Sequence, residues 1–280
     1  MDSSLEAIAS EICNSKGLMF VEKIGEGAFK ETYLVLTNDG QAQALKVVRA
    51  GCSAERTKRE VEAMKRCNHP NIARLYDVSS INYDGVEYTF MLEEYIGGGT
   101  LDDSVRGCLL TIDEALTIGI QLIDAIQHVA SHDLVHRDLK PANIMFRKDR
   151  VEPVIMDFGL VRDLAQESVT HTWLMMGPGT PYFAAPEQLN NDKQLIDWRT
   201  DQFALGVVIS VCVLGMHPYE RNGDLPSDVI NRVVAREPPS SMFVNNAKGI
   251  GLYAVAKMVS PWPVERYRTP ELLLDAWRSE

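Results

Sequence analysis

The chain of 280 residues is predicted to be α+β, with a small antiparallel β-sheet part carrying one helix and a larger, mainly helical part behind it. Three observations predict this. From Leu18 to about Val48, short apolar runs alternate with turn residues, as in Phe20-Val21-Glu22-Lys23-Ile24 and Thr32-Tyr33-Leu34-Val35-Leu36, the pattern of an antiparallel meander. Gly97-Gly98-Gly99 then breaks the strand pattern completely. Beyond it, apolar residues recur at helical spacing to the end of the chain. The boundary is placed there, giving an extension over 1–17, a strand-rich part over 18–95 and a helical part over 96–280.

Each element follows from local pattern. Ala42-Gln43-Ala44-Leu45-Lys46-Val47-Val48 reads as the third strand of the meander. Ser53 to Arg66 places Val61, Met64 and Cys67 on one side of a helix, opened by Ser53 as cap. Asn71–Val78 and Val86–Tyr95 return to strand character. Leu101–Val105 and Thr111–Ser131 are helical, the second with Ala115, Ile118, Leu122, Ile126 and Val129 at core spacing. From Val161 to Pro186 no period holds, and a long patternless segment inside a domain is usually functional or mobile. From Asp201 the pattern is helical again.

Composition excludes several function classes. With 45% hydrophobic and 24% charged residues the chain is ordinary for a globular protein. A net charge of -11 argues against a nucleic-acid partner or an anionic membrane surface. The basic cluster Arg56-Thr57-Lys58-Arg59 is interleaved with Glu55, Glu60 and Glu62, as on a solvated helix face. The five cysteines, Cys13, Cys52, Cys67, Cys108 and Cys212, show no metal spacing and read as reduced thiols in a cytoplasmic protein. The acidic N-terminus has no signal-peptide pattern. The apolar run Ala204–Met216, about thirteen residues, is shorter than the roughly 20 that span a bilayer, so it is expected as a buried helix with no membrane span.

Gly25-Glu26-Gly27-Ala28-Phe29-Lys30 lies between two strands rather than at the start of a helix, unlike a dinucleotide site. Read alone it is equally a glycine turn of a hairpin or a loop whose Gly25 and Gly27 backbones approach phosphate oxygens. Lys46 sits on an apolar strand, where burying an ammonium is costly without a partner. Read alone, Lys46 is more often an exposed strand lysine; with the segments that follow, Glu60 on the next helix is the expected partner, aiming the lysine at phosphates. The most specific segment is Val135-His136-Arg137-Asp138-Leu139-Lys140-Pro141-Ala142-Asn143-Ile144. It brings a carboxylate, a cation and an amide together, and its seven specified letters would arise by chance in ~1 of 5 million such chains at equal residue frequencies.

This segment resembles the catalytic loop of eukaryotic-type protein kinases, and Lys140 resembles the serine/threonine class. Ile155-Met156-Asp157-Phe158-Gly159 matches that family's metal-binding motif, and Gly179-Thr180-Pro181-Tyr182-Phe183-Ala184-Ala185-Pro186-Glu187 is similar to its peptide-positioning segment. The resemblance covers roughly 18–279. It implies the bilobal kinase fold, with ATP in the cleft between the lobes and the γ-phosphate passing to Ser/Thr hydroxyls of protein substrates. By it, Asp138 orients the acceptor hydroxyl, Lys140 neutralises charge, and Asn143 and Asp157 hold Mg2+, with Mn2+ as a substitute. It further implies that Thr180 contacts the catalytic aspartate, that Glu94, Tyr95 and Ile96 face the adenine, and that Ile24, Ala44 and Met145 form apolar walls. Asp201 resembles the family's buried loop anchor, and Arg266 the partner of Glu187.

Two departures stand out. Lys30 occupies the third glycine position of the loop, and Thr32 the following valine position. They motivate a competing reading, a nucleotide-binding pseudokinase scaffold, whereas the peptide-loop match argues against a small-molecule kinase. Met91-Leu92-Glu93-Glu94 can be registered in two ways, one of which puts Glu93 at the rear of the nucleotide pocket. Ser168, Thr170 and Thr172 are candidate phosphorylation sites opposite Arg137, and Trp173-Leu174-Met175-Met176 is an apolar stretch of unassigned purpose. Oligomeric state is not legible.

Overall fold

The computed structural model describes residues 5–50, 54–148, 150–158, 162–163 and 180–280, with backbone alone at 54–56, 162–163 and 180. The chain divides into two compact units, one of residues 1–68 and 73–96, the other of 69–72 and 97–280.

In the small unit, helix α1 (Leu5–Lys16) precedes strands β1 (Met19–Glu26), β2 (Lys30–Leu36) and β3 (Ala42–Val48), helix α2 (Ala54–Arg66), and strands β4 (Leu75–Tyr83) and β5 (Val86–Glu94). The five strands form one antiparallel sheet in the order β1-β2-β3-β5-β4. Strand alternation separates its two faces. One carries Tyr33, Val35, Leu45, Val47, Phe90 and Leu92, which pack with Leu5, Ile8, Ala9, Ile12 and Cys13 of α1. Each Val, Leu, Ile or Phe among them contributes about 1.5–3 kcal/mol when fully buried. This helix lies in the stretch expected to be only an extension. It ends where Gly17 takes a left-handed φ of 66° and the Leu18 N–H donates to the Cys13 carbonyl at 2.8 Å, a glycine-terminated cap.

The large unit holds α3 (Leu101–Val105), α4 (Ile112–Ser131), β6 (Leu134–Val135), β7 (Ile144–Phe146), β8 (Pro153–Ile155), β9 (Arg162–Asp163), α5 (Pro186–Leu189), α6 (Trp198–Leu214), α7 (Pro226–Val234), α8 (Ser241–Gly249), α9 (Tyr253–Met258) and α10 (Pro270–Trp277). Thr111 and Glu114 cap α4 reciprocally, and its five core positions read from the sequence are all buried. Trp277 of α10 lies against Gly119, where an added Cβ would come within 2.2 Å of the indole, and its Nε1–H donates to Leu116 at 3.0 Å. The apolar run at Ala204 belongs to α6, buried from Thr200 through Ser210. Among the described residues no helix is long and apolar enough to cross a membrane. The expected cap at Ser53 lies outside the described residues.

Of the cysteines, Cys13, Cys67 and Cys212 are buried and free and Cys108 is exposed and free. Burial pushes the thiols of Cys13 and Cys67 up to about 11.

Candidate active site

The functional residues of the small unit stand on the sheet face opposite α1. Register sets which of them meet. Thr32 pairs with Lys46 and Lys30 with Val48, while on the other side Ala44 pairs with Glu93 and Lys46 with Met91. Lys30, Thr32, Ala44, Lys46, Met91 and Glu93 therefore share one face. Lys46 Nζ lies 2.6 Å from Glu93 Oε2, with both residues buried. The expected Lys46–Glu60 pair is not the one formed. Glu60 meets Lys30 instead, at 2.5 Å, in a part-buried contact. The reason is geometric. Glu93 is the diagonal cross-strand neighbour of Lys46 and reaches it within the sheet, whereas Glu60 approaches from α2 and finds Lys30 on the adjoining strand.

The glycine turn is braced from both sides. The Gly27 N–H donates to the Lys30 carbonyl at 2.9 Å. Lys23 pairs with Glu26 at 2.7 Å and with Glu31 at 3.0 Å, and Arg49 pairs with both carboxylates at 2.8 Å. A Cβ at Gly25 would sit 3.6 Å from Thr32, and one at Gly27 would sit 3.5 Å from the Lys30 carbonyl, both ordinary contacts. The hairpin itself does not demand glycine at either position. Closer approach by something outside the chain would demand it. Of the expected adenine-facing residues, Ile24 is exposed, Ala44 and Ile96 are buried, and Glu94 and Tyr95 are half-buried. The Glu94 N–H donates to the Arg74 carbonyl at 2.8 Å.

In the large unit the chemistry is held by backbone hydrogen bonds. Buried Asp201 of α6 accepts the His136 N–H at Oδ2 (2.8 Å) and the Arg137 N–H at Oδ1 (2.9 Å). Burial raises its carboxyl pKa, against the N–H groups of His136 and Arg137 and the charge of Arg137, which favour the anion. His136 accepts the Asp138 N–H at Nδ1 (3.2 Å), which leaves Nε2 to donate to the Met156 carbonyl (3.1 Å). Its ring packs edge-on against Phe158, with centroids 4.8 Å apart. Arg137 and Asp157 are held at φ of 64° and 60°. Left-handed geometry at non-glycine residues costs of order 1–3 kcal/mol each, and such strain clusters at functional sites.

Around this frame the predicted residues converge. Lys140 Nζ donates to the Asp138 carboxylate at 3.0 and 3.1 Å, and Asn143 Nδ2 donates to the Asp138 carbonyl and to its Oδ2, both at 2.9 Å. Asn143 thereby spends its amide nitrogen and keeps Oδ1. Its own carbonyl accepts the Met156 N–H at 2.8 Å, which sets Asp157 one residue away from that tie. One amide oxygen and one carboxylate are hard donors that fit magnesium, which usually takes only one or two protein ligands beside phosphate. Among the described residues no group of three or more His, Cys, Asp or Glu is placed to hold a metal ion.

Downstream, Glu187 and Arg266 form a fully buried bidentate pair at 2.7 and 3.0 Å, to which Thr200 Oγ1 donates at 3.0 Å. Gln188 Nε2 donates to the Arg137 carbonyl at 2.8 Å, tying this region to the catalytic loop. Thr180 opens a 3₁₀ turn through Tyr182, but its side chain, and with it the expected contact to Asp138, lies outside the described residues. So do Gly159, Ser168, Thr170, Thr172 and Trp173 to Met176. The Lys46–Glu93 pair is the contact that the sequence does not disclose. Counting alternation outward from Lys46 across β3 and β5 would have put both on one face, but only once the register was known.

A buried strand lysine with a carboxylate partner, and a loop aspartate flanked by lysine and asparagine with a second aspartate nearby, define equipment for moving phosphoryl groups. A family model described as protein kinase domain matches residues 18–275, and the chain belongs to that family. Among curated relatives it is similar to CBL-interacting serine/threonine-protein kinase 26 of Arabidopsis thaliana, 32% identical over 91% of this chain and 57% of the relative. It is also similar to serine/threonine-protein kinase PknB of Mycobacterium leprae, 31% identical over 81% and 36%. A third relative is a probable serine/threonine-protein kinase of Clostridium perfringens, 30% identical over 78% of this chain and 31% of the relative. The chain thus spans from about a third to somewhat over half of these proteins' lengths.

Proposed function

We propose that the chain is an ATP-dependent serine/threonine kinase acting on protein substrates. The observation that carries this reading is the Asp138 carboxylate, held between Lys140 and Asn143 on a loop pinned by Asp201. Asp138 accepts the hydrogen bond of the acceptor hydroxyl and orients it for attack. Lys140 stabilises charge that develops on the transferring phosphoryl group. Lys46 orients phosphate oxygens, with Gly25 and Gly27 supplying backbone N–H groups, and Glu94, Tyr95 and Ile96 receiving the base. Asn143 and Asp157 hold magnesium, for which manganese can substitute. A metal held there would supply positive charge that offsets the charge of the phosphates.

Arg137, next to Asp138, is the site at which a phosphate on Ser168, Thr170 or Thr172 would act as a switch, since phosphate adds charge and acceptor oxygens that order a loop against arginine. We place the chain in the cytoplasm, a reading supported by four described thiols, none of them paired. A second reading, a nucleotide-binding scaffold without transfer, draws on one observation: Lys46 is paired with Glu93 rather than Glu60. Incubation with radiolabelled ATP, magnesium and generic protein acceptors separates the two. Label on serine or threonine that is lost in Asp157→Ala and Asp138→Asn establishes the kinase. ATP binding by thermal shift with no transfer establishes the scaffold.

A further inference from the structure

Two lysines and two glutamates on one side of the small sheet pair in a crossed pattern. Lys46 goes to Glu93 and Lys30 to Glu60. We infer that Glu93, rather than Glu60, is the positioning counter-ion of Lys46 in this chain, and that Lys30 has taken over Glu60. The inference rests on the phosphate-handling role proposed for Lys46.

Burial supplies the energetic argument. Glu93 is 0% exposed and Lys46 6%. Neither charge is tolerable in such surroundings without the other. Lys46 is the one described donor to Glu93, whose Oε1 has no partner among the described residues. An ammonium carries three N–H donors. One is spent on Glu93, leaving two for phosphate oxygens, so the pairing is compatible with nucleotide binding.

The exchange changes what α2 controls. With its counter-ion on the neighbouring strand, Lys46 is held by the sheet itself and does not depend on where α2 stands. The residue that senses α2 is Lys30, whose backbone carbonyl closes the glycine turn by accepting the Gly27 N–H and whose side chain meets Glu60. Displacing α2 would therefore release the glycine turn and leave Lys46 in place.

The test is amine acetylation of nucleotide-free protein with acetic anhydride from pH 7 to 10, read residue by residue by mass spectrometry, for the unmodified chain, Glu93→Gln and Glu60→Gln. In Glu93→Gln the Lys46 ammonium loses its counter-ion and its labelling at pH 8 should rise by about tenfold. In Glu60→Gln the Lys46 profile should stay within about twofold of the unmodified chain while Lys30 labels faster. Equal effects of both variants on Lys46, or an effect of Glu60→Gln alone, overturn the assignment, as does an unchanged Lys46 profile in Glu93→Gln. If Glu93→Gln does not fold, Glu60→Gln decides by itself. An unchanged Lys46 profile supports the exchange and a shifted one overturns it. Because no phosphotransfer is involved, a protein without kinase activity would defeat the proposed function and leave this outcome standing.

Discussion

The candidate residues of the two units are held by different forces. In the large unit, Asp138 sits on a loop whose backbone donates twice to one buried carboxylate, Asp201, and whose flanking arginine is bent into the left-handed region. In the small unit, Lys46 is held by a side-chain ion pair on an otherwise regular sheet. A backbone frame of this kind has few alternatives, because each N–H must find an acceptor once buried. A side-chain pair can be rerouted by one substitution on the same face, and Lys30 and Glu93 together provide such a rerouting. The Asp138 loop is thus fixed through its backbone, and Lys46 through a side-chain contact alone.

The comparison breaks most visibly in activity. Asp138→Asn should lower phosphotransfer by about 10²–10⁴-fold with an unchanged melting temperature, since the substitution keeps the shape and removes the proton acceptor. A melting temperature that falls as well would mean Asp138 belongs to the frame and not only to the chemistry. Next in size is the buried Glu187–Arg266 pair. Arg266→Ala leaves Glu187 buried and unpaired and should cost about 3–5 kcal/mol in denaturant unfolding. The exposed Lys16–Asp77 pair at 2.8 Å should cost no more than about 1 kcal/mol when broken by Lys16→Ala.

A pH effect of intermediate size comes from His217, buried with Nε2 2.9 Å from the Tyr182 carbonyl and Nδ1 accepting the Tyr219 N–H at 3.1 Å. Burial pushes its imidazole from 6.5 down to about 3. Between those values the unfolded chain binds a proton that the folded chain does not, so stability falls as pH drops through that window and this contribution is level above it. The slope reaches at most about 1.4 kcal/mol per pH unit. His217→Gln should flatten it in urea titrations at pH 4 to 7, and an unaltered slope would assign the acid sensitivity to other groups. A similarly small stability effect is expected at Gly25→Ala, within about 1 kcal/mol, because an added Cβ meets only ordinary contacts there. The same variant should raise KM for ATP, while Gly98→Ala, whose Cβ would lie 2.3 Å from the Phe146 carbonyl, should destabilise instead.

Much of this was legible because it is local. The catalytic loop, the Asp157 motif and the core positions of α4 are encoded in short runs whose spacing states their purpose. Helix α1 is legible too, in Leu5, Ile8, Ala9, Ile12 and Cys13 at helical intervals, although the charges of this stretch alone suggest no more than an extension. The Lys46 partner was not legible, because two carboxylates stood at workable positions and the choice between them is a matter of strand register.

By itself the sequence determined the order of strands and helices, the family to which the chain belongs, and the residues available to phosphoryl chemistry, since each is written in contiguous or periodic patterns. Tertiary structure alone decided the pairing: Ala44 opposite Glu93 and Thr32 opposite Lys46 place Glu93 beside Lys46 and Lys30 within reach of Glu60. The physical reason is that a salt bridge depends on distances of a few ångströms between residues far apart in the chain, and only the packed sheet and its helix set those distances.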